Sequence, residues 1–253
     1  MKKKGLIIGK GWLGSRIENY LSDKYDFITT KRKADKENCI SINFDEQVDK
    51  INLSDFEFII ITIPFGKRQN LEVLNNKFSK LINFISGYQK QIIIISSTGI
   101  YPESDNIINE NSYTNEELNE NYIFIEQKIQ KVFPQIVILR LGGLMGDDRY
   151  LSRYLNLEKP NLNTVVNHVH YLDVCQSIEH ILHKEIYKET YNVVAPLHPT
   201  KEEILEYQIN KKIMYSNYKT GKIVSSNKLI ERFKFEFIYI DPIIYFLTFL
   251  FLF

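Results

Sequence analysis

Two groups of side chains in this chain have the type and spacing to do chemistry. The first is a glycine triplet, Gly9, Gly11 and Gly14, written GKGWLG directly behind a short apolar run. Gly9 permits a tight turn off a strand, Gly11 lets the backbone approach a bulky anion, and Gly14 lets a helix pack closely on that strand. Lys10, Trp12 and Leu13 complete the turn, and the free N–H groups of the helix that follows would face the anion. This pattern predicts a dinucleotide-binding turn. The second group is a run of hydroxyls, Ser96, Ser97 and Thr98, followed by Tyr101. At the carboxyl end of a buried strand such hydroxyls open into the crevice that holds ligands in open α/β sheets, where one can donate to a substrate oxygen.

Both groups need a frame, and the chain alternates strand-like with helix-like segments. Near-continuous apolar runs at 6–8, 26–30, 39–42, 58–63, 91–97 and 136–141 read as strands buried on both faces. Helical spacing falls between them, as in Leu71, Leu74, Phe78, Leu81 and Ile85, and again over 116–133. The expected fold is α/β, a doubly wound parallel sheet of the Rossmann kind over 1–146. The remainder, 147–253, supplies a small substrate-side lobe, with a helix at 173–183 and a strand at 191–195.

The end of the second strand decides which dinucleotide fits. An acidic residue about twenty positions past the glycine turn would read the ribose 2′-hydroxyl of NAD, but the sequence offers Thr30, Lys31 and Arg32. Two cations suit a 2′-phosphate, which Arg32 can hold bidentately, so NADP is expected over NAD. Ile63 and Pro64 lead out of the fourth strand, with Pro64 expected to shape the loop.

Taken with the hydroxyl run, these motifs resemble the extended short-chain dehydrogenase/reductase superfamily, in its sugar-nucleotide epimerase/dehydratase branch. The resemblance continues through RLGGLMG (140–146), NHVHYLDV (167–174) and YNVVAP (191–196). It implies that Ser97, four residues before Tyr101, assists catalysis, with Ser96 beside the cofactor and Ile63 and Pro64 where the backbone passes the adenosine and pyrophosphate. The family's TyrxxxLys pair is missing from the helix after the fifth strand. In one register Tyr122 stands at the lysine position and Leu118 at the tyrosine; in the other Tyr122 is the tyrosine and Glu126 replaces the lysine. Glu126 would then disfavour the phenolate of Tyr122. An intact cofactor turn with a degenerate pair is similar to the atypical members, bacterial NAD(P)-dependent epimerase/dehydratase-like proteins of the YeeZ type.

Two functions follow. One is an NADP-dependent oxidoreductase or epimerase on a small polar or nucleotide-linked substrate, with Ser97 polarising the reacting oxygen and Tyr122 or Tyr101 donating the proton. The other is a cofactor-binding sensor or scaffold without turnover. Thr98, Arg149, Arg153 and His170 are candidate substrate contacts, the arginines as a clamp for phosphate or carboxylate. Asp173 is expected to cap the helix that it opens. His168 and His170 are too few to hold a metal, so none is expected.

Composition narrows the partners. The 253 residues are 44% hydrophobic and 25% charged, with a net charge of +1, which suits a globular chain and gives no general attraction to nucleic acid. Cys39 and Cys175 lack any CxxC spacing and read as buried thiols of a cytoplasmic protein. The apolar end, Ile243 to Phe253, is shorter than the ~20 residues of a membrane helix. Buried packing, a subunit contact in a homodimer or an aberrant chain end is expected of it, and not a membrane anchor.

Overall fold

In the computed structural model, residues 2–66 and 69–243 are described. The apolar end from residue 244 onward lies outside them, and with it the expectation about that segment. Seven parallel strands form the main sheet: β1 (Lys3–Ile8), β2 (Tyr25–Lys31), β3 (Cys39–Ser41), β4 (Phe58–Ile61), β5 (Gln91–Ser97), β7 (Val137–Leu141) and β10 (Thr190–Val193), in the order β10-β7-β5-β4-β1-β2-β3. All six expected strands form, and the run expected at 191–195 adds the seventh. The sheet is parallel throughout, as strands apolar on both faces require.

Alternate residues of each strand feed opposite cores. Leu6, Ile8, Ile59, Ile61, Ile92 and Ile94 pack with Leu74, Phe78 and Leu81 of α2 (Leu71–Phe84) and Ile125 and Ile129 of α3 (Glu120–Val132). Ile7, Ile60 and Ile93 pack with Leu13, Ile17 and Leu21 of α1 (Trp12–Leu21) and Val174, Ile178 and Ile181 of α4 (Tyr171–His183). The helical spacing read from the sequence is therefore the core-facing stripe of each helix. Truncating fully buried Phe78 to alanine should cost about 3–5 kcal/mol.

Short pieces at the carboxyl edge build the rest: β6 (Ile107–Ile108) pairs with β11 (Ile223–Val224), and β8 (Gly143–Met145) with β9 (His168–His170). Gly142 and Gly143 allow this closeness, since a Cβ on either would stand 2.3 Å from Asn167 O or 2.1 Å from His168 Cδ2. The helices α5 (Lys201–Asn210) and α6 (Asn227–Phe233) follow, α5 opened by a capping box between Thr200 and Glu203. Leu229, Phe233, Phe235 and Phe237 join the core shared by α1 and α4.

Asp173 does not cap α4. His170 does, its Nδ1 accepting from Leu172 N at 3.2 Å, while Asp173 sits in the first turn and accepts from Ile238 N at 2.6 Å and Tyr239 N at 3.3 Å. Burial pushes the Asp173 carboxyl up to about 6. Among the described residues no helix is long and apolar enough to cross a membrane, no group of acidic, cysteine and histidine side chains could hold a metal, and both cysteines are free and buried.

Candidate functional site

The glycine turn takes the shape its sequence demands. Gly9 has φ +104°, a conformation that side chains resist, and its N–H donates to Thr30 Oγ1 at 3.1 Å. Gly14 lies where a Cβ would stand 2.6 Å from Gly9 O, so only glycine lets α1 meet the end of β1 this closely. A Cβ on Gly11 would meet nothing nearer than Gly9 O at 4.0 Å; that side of the turn is open. No side chain caps the start of α1, which leaves its first N–H groups for an outside acceptor. Both observations fit a pyrophosphate. Thr62 was not singled out in the sequence, yet its Oγ1 donates to Gly9 O at 2.5 Å and fixes the turn to the end of β4.

From this turn a groove of about 1120 Å³ runs along the carboxyl edge, with Gly9, Lys10, Gly11, Thr30, Ile63 and Pro64 in its wall. Lys31, Arg32 and Lys33 line its basic end. Lys31 is held by Asp35 at 2.6 Å, whereas no carboxylate among the described residues lies within 4.0 Å of Arg32. Segment 40–51 forms much of the opposite wall, and beyond the strand read at 39–42 its lack of periodicity hid it from sequence reading. Lys10 contributes chain to the wall, but its ammonium is buried 2.7 Å from Glu18 Oε2 and is not offered to a ligand.

At the end of β5 the hydroxyl run divides. Ser97 Oγ accepts from Gly99 N at 3.0 Å, and a Cβ on Gly99 would lie 3.3 Å from Ser97 Oγ and 3.6 Å from Tyr122 Oη. The two hydroxyls therefore flank one point beside the strand end. Tyr122 is set there by α3 and by Phe65, whose ring lies 5.9 Å away. Thr98 is buried in the turn that follows.

Ser96 and Tyr101 turn the other way, into a buried polar chain. Ser96 Oγ donates to Glu126 Oε1 at 2.6 Å, Glu126 Oε2 accepts from Arg140 Nη2 at 2.7 Å, and Arg140 Nη1 donates to Tyr101 Oη at 3.0 Å. Tyr101 Oη in turn donates to Asn192 Oδ1 at 2.7 Å. Burial raises the Tyr101 phenol above its ordinary value, against the pull of Arg140 and Asn192. At 2% exposure it cannot reach a ligand, so its placement speaks against a proton donor there. Burial would disfavour charge on Arg140, but the Glu126 carboxylate outweighs it and holds the guanidinium charged. Glu126 is thus committed to Ser96 and Arg140.

The expected substrate contacts also separate. Arg149 lies over the Trp12 ring, 4.1 Å from its centroid, and lines a small cavity with His168. Arg153 is 57% exposed and 3.8 Å from Asp148. His170 is 2% exposed, with its ring centroid 3.9 Å from that of Tyr239 at a tilt of 46°, while it caps α4, a structural placement. Burial lowers its imidazole to about 3.

No family model matches the chain. Protein YeeZ of Escherichia coli K12 is 25% identical over an alignment of 271 positions, covering 96% of this chain and 98% of the relative. Among solved structures, a functionally unknown conserved protein from Silicibacter pomeroyi superposes with a TM-score of 0.73 at 16% identity, covering 96% of each chain. Human epimerase family protein SDR39U1, solved with NADPH, gives 0.70 at 12% identity over 94% of this chain and 96% of that one. ADP-L-glycero-D-manno-heptose-6-epimerase of Helicobacter pylori gives 0.70 at 16% identity over 98% and 96%.

Proposed function

The chain is related to YeeZ over nearly its whole length and is built on the fold of the extended short-chain dehydrogenases/reductases, and from that premise we propose that it is an NADP-dependent oxidoreductase or epimerase. Its substrate is a small polar or nucleotide-linked molecule that presents a carbonyl or carbinol beside Gly99. The observation that carries the reading is the pairing of the Ser97 and Tyr122 hydroxyls beside that glycine, at the same sheet edge as the open glycine turn. Structural neighbours solved with NADPH or with NAD support a nicotinamide dinucleotide as the cofactor class.

Gly9, Gly11 and the uncapped start of α1 take the pyrophosphate, while Thr30, Ile63 and Pro64 shape the walls around the dinucleotide. Arg32, aided by Lys31, takes the 2′-phosphate. When bound, the nicotinamide supplies hydride exchange. Ser97 orients the substrate oxygen by a hydrogen bond, and Tyr122 gives a proton to that oxygen or takes one from it. The work is cytoplasmic, on a small molecule and without nucleic acid, by a chain that pairs as a homodimer.

Glu126, four residues past Tyr122, stands where one register puts the family's lysine, and it is consumed by Arg140. That replacement favours a second reading, a dinucleotide-binding sensor without turnover. The test is a panel of carbonyl and sugar-nucleotide substrates with NADPH. For an enzyme, Ser97→Ala should lower kcat by roughly a hundredfold, the scale of one lost oxyanion donor. Tight NADPH binding with no turnover on any substrate would select the sensor.

A further inference from the structure

The turn after β8 is latched onto the start of α1. Gly146 (φ +127°) and Asp147 (φ +48°) bend the chain back, and Arg149 N donates to Gly146 O at 3.0 Å. Asp147 accepts from Arg16 Nε at 2.8 Å and holds its Nη2 at 2.6 Å, while Asp148 accepts the indole N–H of Trp12 at 2.9 Å. The Trp12 ring therefore carries two guanidinium groups, Arg16 at 3.6 Å and Arg149 at 4.1 Å from its centroid. Only one of these charges is compensated. Asp147 neutralises Arg16, whereas among the described residues no carboxylate lies within 4.0 Å of Arg149.

Arg149 also lines a cavity of about 50 Å³ with Tyr150, Tyr154, His168 and Gln208. That volume exceeds the ~10–15 Å³ needed by one water, so a small oxyanion fits. Burial keeps His168 neutral, which leaves Arg149 as the cation of this lining. A guanidinium resting on a half-buried ring gains less than one gripping an oxyanion through two N–H groups. An oxyanion within reach therefore draws Arg149 off the indole.

We propose that Arg149 is the anion anchor of the substrate site, parked on Trp12 and drawn off it by a phosphate or carboxylate group of the substrate. This rests on the reading that substrate lies on this side of the cofactor. Trp12 is the chain's one tryptophan, so its fluorescence reports the stack directly. The full chain, saturated with NADP⁺, is titrated with inorganic phosphate or with malonate at constant ionic strength, with chloride as control.

A saturable change in Trp12 emission is expected with at least one of the two anions. The more effective one identifies the group as phosphate or carboxylate. Arg149→Ala should abolish the change and Arg149→Lys should weaken the response about tenfold, because lysine cannot form the bidentate fork. Folding of both variants is checked by thermal melts, and calorimetry should find their NADP⁺ affinity unchanged. Silence with both anions, or an undiminished response in both variants, would overturn the proposal. A loss of NADP⁺ affinity in Arg149→Lys would make Arg149 a cofactor clamp and would also defeat it. Failure of the wild type to bind NADP⁺ would defeat the cofactor reading alone, since the anion titration run without NADP⁺ still reads Arg149.

Discussion

Glu126 and Arg140 meet inside the protein, Oε2 to Nη2 at 2.7 Å, directly behind the strand end that carries Ser97. The pair joins α3 to β7, and through Ser96 it reaches β5, so it ties together the elements that bring Tyr122 and Ser97 side by side. Removing one partner leaves the other charged and buried. Glu126→Ala should therefore cost about 3–5 kcal/mol in urea unfolding, and Glu126→Gln less, because its amide still bonds Ser96 or Arg140. A Glu126→Ala protein as stable as the wild type would show that the pair holds nothing.

The glycine turn separates folding from binding. Valine at Gly14 would drive its Cβ against Gly9 O, where 2.6 Å is available, so Gly14→Val should lower the melting temperature by several degrees. Alanine at Gly11 meets no protein atom closer than 4.0 Å, so Gly11→Ala should melt like the wild type and bind dinucleotide less tightly. Equal melting of the two variants would contradict this division.

His170 and Asp173 act in opposite directions with pH. Burial lowers His170 from 6.5 to about 3, so the unfolded chain binds its proton first and stability falls as pH drops below about 6.5. Asp173 is raised from 3.8 to about 6, so its contribution is fullest at acid pH and declines as pH rises through that window. His170→Asn keeps an acceptor for the start of α4 and should flatten the loss of stability between pH 7 and 5. Asp173→Asn should steepen it. Urea midpoints across that range measure both, and an unchanged slope in His170→Asn would refute the histidine assignment.

The strands and the glycine turn were legible because burial on both faces and the need for φ above zero each leave a local mark in sequence. Segment 43–51 and the hydrogen bond from Thr62 to the glycine turn were not, since they shape the groove through contacts that carry no period. Tyr101 and Ser96 match the family motif, yet the partners that draw them inward, Asn192, Arg140 and Glu126, lie 30 or more residues away. His170 took the capping role expected of Asp173 because the chain enters α4 three residues earlier than the sequence suggested.

The proposed preference for NADP rests on the basic end of the groove. Lys31 is partly occupied by Asp35, so Arg32 should carry most of the discrimination. Arg32→Ala should narrow the gap between NADPH and NADH affinity by roughly tenfold or more, as expected for a lost charge-assisted contact. A wild type that prefers NADH would overturn the assignment.

The central claim is that a dinucleotide lies on the turn of Gly9, Gly11 and Gly14. Isothermal calorimetry of the wild type with NADP⁺ and NAD⁺, beside a Gly11→Val variant whose fold is verified by its melt, tests it most directly. One site per chain is expected, tighter for NADP⁺ and lost in Gly11→Val. No heat with either dinucleotide at millimolar concentration, or undiminished binding by Gly11→Val, would contradict it.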